Sequence, residues 1–157
     1  MLFRSAAVSP SYEPQPIVLD TNVVLDALLF GDARIAPLLA KLRGGVSLRW
    51  MASPGMRVEL AHVLTRPMLQ PWQPDLDAVL PAYDQCVQPC DAPPPLPPAR
   101  SALRCRDPDD QLFIDLALHC QARWLVTRDR DLLSLARPAR HHGLAIVVPE
   151  AWTMAID

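Results

Sequence analysis

Short runs of apolar residues recur along this chain with helix-like segments between them, and that rhythm constrains the fold more than any other feature. The stretches "IVLD" at 17–20, "RWLVT" at 123–127 and "LAIVV" at 144–148 are close to continuously apolar, while "VSLRWMA" at 46–52 alternates. A strand that is apolar on both sides must be covered on both sides, and parallel sheets achieve this with crossover helices. The intervening segments read as those helices. One spans about residues 23–30. A second, "ARIAPLLAKLR", stops at Gly44-Gly45 as a glycine cap would stop it. Ser53-Pro54 opens a third, running to about residue 65, with an N-cap and a proline at the first turn. "DLDAVLPAYDQCV" reads as helical on both sides of Pro81, and "DPDDQLFIDLALHC" begins with Asp107 as cap and Pro108 at the first position. "RDLLSLA" and "PEAWTMAI" read as short helices near the end. Residues 89–98, "PCDAPPPLPP", read as a stiff surface connector of polyproline II character. The expected class is α/β, a central parallel sheet of four to five strands between helical layers.

At 157 residues, half of them hydrophobic and a fifth charged, the chain is expected to form one globular domain over 17–157. Residues 1–16 lack the apolar core of a signal peptide and read as a flexible leader. No run approaches the roughly 20 apolar residues of a membrane span, so a cytoplasmic protein with no membrane partner is expected. The four cysteines show no C-x-x-C pairing, which excludes a zinc framework and leaves free thiols. A formal net charge of −2 argues against nucleic-acid binding by bulk electrostatics. Acids and arginines are nevertheless interleaved in the C-terminal third, where eight arginines lie between Arg100 and Arg140.

The acids fall at particular places. In open parallel sheets, sites form beyond the carboxyl ends of the strands. Asp20 ends the first strand; Thr127 ends "RWLVT", with Asp129 two residues on and Asp131 two beyond that. On the helix from Ser53, Glu59 lies about 40° from Val63 at 100° per residue, at the margin of the apolar stripe. On the helix after Asp107, Asp110 projects among Phe113, Ile114 and Ala117, with Asp109 as its alternative and Asp115 on the polar side. Asp20, Glu59, Asp110 and Asp129 can therefore converge at one sheet edge. Like charges that close repel unless cations sit among them. Oxygen ligands suit Mg²⁺ or Mn²⁺, one or two ions, which can activate water against a phosphorus. Each acid has a plain alternative: Asp20 as an N-cap, Glu59 as a surface acid, Asp131 as cap of "LLSLA". Arg104, Arg106, Arg128 and Arg130 either steer RNA phosphates or balance the acids.

The stretches "IVLDTNVVLDALL", "SPGMRVELAHVLTRP", "CRDPDDQLFIDLALHCQARWLVTRDRDLL" and "LAIVVPEAW" together resemble the PIN-domain family, in particular the VapC-like toxins of type II toxin–antitoxin systems. The resemblance runs from about residue 17 to 152 and is least marked between 65 and 104. It implies a three-layer α/β/α sandwich and a metal-dependent endoribonuclease leaving a 5′-phosphate and a 3′-hydroxyl. Carried over by position, Asp20, Glu59, Asp110 and Asp129 match the metal-binding acids, Asn22 the polar residue that supports Asp20, and Thr127 the threonine of the last motif. RNA as substrate, a small antitoxin and a homodimer are the partners it implies. Two other classes are weighed. Aspartyl-phosphate chemistry wants a lysine late in the chain, and the only lysine, Lys41, is early. A catalytically inactive module that binds an antitoxin or RNA would not need all four acids.

Overall fold

The computed structural model of the protein describes residues 13–91 and 103–152. Five parallel strands form one sheet in the order β3-β2-β1-β4-β5: β1 is Gln15–Leu19, β2 Leu48–Ala52, β3 Val87–Pro89, β4 Trp124–Val126 and β5 Ala145–Val147. Helices connect them: α1 Thr21–Leu28, α2 Ala36–Gly44, α3 Pro54–Val63, α4 Leu76–Cys86, α5 Gln111–His119, α6 Arg130–Leu133, α7 Ala136–Ala139 and α8 Pro149–Trp152. Three 3₁₀ turns complete the course, at Pro67–Trp72, Pro108–Asp110 and Arg140–His142.

From β1 the chain steps outward through β2 to β3, then returns to β1's other side for β4 and β5. Right-handed crossovers running in opposite directions put their helices on opposite faces. Helices α1, α3 and α4 accordingly pack on one another, while α5 packs on β1 and β4. Covered on both sides, the central strands hold Ile17, Val18, Leu125 and Val126 out of solvent entirely. Burial of such continuous apolar runs, at roughly 25 cal/mol per Å², is what favours this layering. Trp50 meets Tyr83 edge to face at 5.3 Å and Trp124 meets Trp152 at 6.1 Å. Trp72 is half exposed and packs against Phe30 at 4.9 Å.

Several local expectations need correction. Residues 87–89 form an edge strand, paired in parallel with Trp50–Ala52, where the proline-rich connector was expected to begin. Val87-Gln88-Pro89 has no apolar run to mark it as a strand, and a proline at the end of an edge strand costs no ladder bond on its open side. Residues 92–98 of that connector, like 1–12 of the leader, lie outside the described residues. Helix α4 is helical on both sides of Pro81, as expected. The helix expected from Asp107 begins as a 3₁₀ turn, with the Asp107 carboxylate accepting from the Asp109 N–H at 2.9 Å. After α2, Gly45 takes φ +63°, the left-handed position that favours glycine. No helix among the described residues is long and apolar enough to cross a membrane.

Candidate active site

Because β1 has β2 on one side and β4 on the other, the strand order reverses there, and in open parallel sheets the crevice for a site lies beyond the carboxyl ends of the strands at such a point. Asp20 follows β1 directly. Its backbone N–H extends the ladder by donating to the Val126 carbonyl at 3.0 Å. It occupies the N-cap position of α1 but makes no side-chain cap bond. The buried Thr127 hydroxyl instead donates to Asp20 Oδ2 at 2.7 Å. The same hydroxyl accepts from the Asp129 N–H at 3.0 Å, so one threonine ties the acid after β1 to the acid after β4.

Asp129 is fixed in turn as the N-cap of α6. Its Oδ1 accepts from the N–H groups of Asp131 and Leu132 at 2.8 and 3.2 Å, and the cap is Asp129 rather than the expected Asp131. The earlier start of the helix explains this: it begins at Arg130, two residues before "LLSLA". Glu59, midway along α3, accepts from the Thr21 hydroxyl at 3.0 Å. Asp110 ends the 3₁₀ turn, half-buried, with no hydrogen bond to its carboxylate. Asp109 is exposed, as is Asn22.

Electrostatics show which acids face one another. The Asp110 carboxyl is pushed up to about 7, first by burial and then by the charges of Asp129, Asp20, Asp107 and Glu59. Burial also pushes Asp20 up, the Thr127 hydrogen bond opposes it, and the charges of Asp129 and Glu59 add to the rise. Asp109 is not among these charges. Acids from four separate elements thus crowd one crevice, and none of the ion pairs among the described residues involves Asp20, Glu59, Asp110 or Asp129.

Such a set suits a hard divalent cation by donor chemistry, since every donor is a carboxylate oxygen and the excess negative charge has no internal counter-ion. As they stand, no three acids, cysteines or histidines among the described residues form a ready cage for one ion. Mg²⁺ does not need one: it commonly keeps several waters and takes one or two carboxylates plus substrate phosphate.

Three contributors were not legible in the sequence reading. Thr21 reaches Glu59 across the α1–α3 contact. The Gln111 amide clamps the segment before the acid turn, accepting from the Cys105 N–H at 2.7 Å and donating to the Leu103 carbonyl at 2.8 Å and to Asp115 Oδ1 at 3.0 Å. Arg128, between Thr127 and Asp129, turns away from the crevice and donates to Asp26 at 2.9 Å and Glu150 at 2.7 Å. The acids it balances are these, on α1 and α8, and not the acids of the crevice.

The family model of the PIN domain matches residues 16–131, a span that includes all four crevice acids. A search of curated proteins finds no significant match.

Proposed function

Because the chain belongs to the PIN domain family, a family of nucleases, we propose that it is a metal-dependent endoribonuclease whose site is Asp20, Glu59, Asp110 and Asp129. One observation carries this reading: at the switch point Asp20 and Asp110 are both pushed up, by burial and further by the charges of the other crevice acids, and none of the ion pairs among the described residues involves any of the four. A scaffold kept only for binding gains nothing from that repulsion.

In this reading Asp20 and Asp129 hold Mg²⁺ or Mn²⁺ most directly, one or two ions, with Glu59 and Asp110 completing the oxygen set. A divalent ion bound there lowers the pKa of water and neutralises charge on the scissile phosphate. The chain's own part is orientation. Thr127 fixes one oxygen of Asp20 and leaves the carboxylate facing the crevice. The α6 N–H groups hold Asp129 by one oxygen only. Thr21 fixes Glu59. Asp110, with its carboxyl near neutrality, exchanges a proton readily until a cation or substrate proton settles it. Exposed Arg104, Arg106 and Arg130 flank the acids in sequence and can meet phosphate oxygens. The resemblance to VapC-like chains supports a toxin that pairs with a small antitoxin and dimerises in the cytoplasm.

The test is cleavage of RNA by the purified protein with Mn²⁺, with Mg²⁺ and with EDTA, beside Asp20→Asn prepared identically. Cleavage that requires metal and vanishes in the variant is expected. Equal traces from both proteins, with folding confirmed by circular dichroism, would overturn the nuclease reading in favour of an inactive binding module.

A further inference from the structure

At the opposite end of the strands from the acids, cations collect that form no ion pair among the described residues. Arg123 precedes β4, and its carbonyl accepts from the Ala145 N–H at 3.0 Å. Its guanidinium lies over the Trp124 ring, 4.5 Å from the centroid. Arg123 and Arg140 line one cavity of about 380 Å³ with Trp124, Gly143, Leu144 and Ala145. Arg123 and Trp124 also wall a second, of about 540 Å³, between the starts of β1, β2 and β4. Arg137 lies three residues before Arg140, on α7, and His141 and His142 follow. All five cationic or titratable side chains are exposed.

The ion pairs of the described residues use only Arg34, Arg57 and Arg128. Arg123, Arg137 and Arg140 are therefore not neutralised from within; Glu13, on the rim of the larger cavity, is the one acid lining either space. A chain of net charge −2 that gathers acids at one edge repels a polyanion there. Unspent guanidinium groups elsewhere are what can hold it, and their planar forks suit phosphate oxygens.

We propose that Arg123, Arg137 and Arg140 form a second RNA-contacting surface, which holds backbone phosphates of the substrate at the amino edge of the sheet. This rests on RNA being the substrate. From Trp124 to Thr127 the strand advances about 10 Å at ~3.3 Å per residue, so RNA of more than a few nucleotides can reach from one edge to the other. Trp124 is buried beneath Arg123, which leaves no ring face for a base. The surface reads phosphate and not sequence.

The test measures binding in EDTA, where cleavage does not interfere. Anisotropy of a fluorescein-labelled, unstructured 20-nucleotide RNA is followed against salt for the full chain and for Arg123→Gln/Arg137→Gln/Arg140→Gln. Arg137→Glu/Arg140→Glu provides a second variant, because Arg123 packs on Trp124 and its loss can disturb folding. Binding weakened tenfold or more, with a salt slope shallower by about 2 for three single-strand phosphate contacts, is expected. Unchanged affinity and slope in both variants would overturn the proposal. So would unchanged RNA binding together with loss of binding to a polyglutamate peptide, which would assign the surface to an acidic protein. Tetranucleotide cleavage in Mn²⁺ reads the acid site separately: its absence in the unaltered chain sinks the nuclease reading and leaves the binding result intact.

Discussion

Thr127 carries more of the crevice than its size suggests. Its hydroxyl donates to one acid and accepts from the backbone of the other, at full burial. Thr127→Val keeps the shape and removes both bonds, leaving a buried carboxylate oxygen without its donor. A loss of about 1–3 kcal/mol in urea unfolding is expected. Asp110 gives the opposite sign. Its carboxyl is raised from 3.8 to about 7 in the folded protein, so the folded state binds a proton that the unfolded chain releases. That contribution is fully present below pH 3.8 and is lost as pH rises through about 7. Asp110 is half in solvent, and screening discounts the effect to about 1 kcal/mol. Asp110→Asn should therefore raise Tm of the metal-free protein by roughly 2–4 °C at pH 8 and leave it unchanged at pH 3, read by calorimetry.

At the scale of elements, the crevice depends on how its helices are tied to the sheet. Arg128 joins the turn after β4 to Asp26 on α1 and Glu150 on α8, and Arg34 meets Glu150 at 3.3 Å and Asp32 at 2.7 Å. Arg34 is largely exposed, but the Arg128–Asp26 pair is partly buried, with side chains 27% and 16% exposed, so it counts for more than a surface pair. Arg128→Ala should cost roughly 1–3 kcal/mol. Combined with Asp26→Asn in a double-mutant cycle, the two losses should fall short of additive, since the second change removes a charge already stranded by the first.

For the molecule as a whole, acids that repel one another at the switch point make the empty protein less stable than it can be. A divalent cation that binds only the folded state should add about 2.7 kcal/mol at a hundredfold excess over Kd. Thermal melts with and without Mn²⁺ measure this. A rise in Tm is expected for the unaltered chain and none for Asp20→Asn.

Periodicity and strand-end position, both local properties, were enough to read the parallel α/β class and the acids after β1 and β4. They were enough because each reports on a single element, whose burial follows from the spacing of its own residues. The edge strand β3 escaped because Val87-Gln88-Pro89 carries one apolar side chain and a proline, whereas the equally short β4 and β5 sit in continuous apolar runs. The Thr21–Glu59 bond spans 38 residues and the Thr127–Asp20 bond spans 107. No local pattern encodes such a pair; strand order brings its members together. The same holds for Arg128, which looks from the sequence like any arginine beside an acid and finds its partners only when α1 and α8 close around it. Sequence alone determined which residues could carry the chemistry. Tertiary structure decided which of them meet, because contact depends on how the elements pack and not on the order in which they are written.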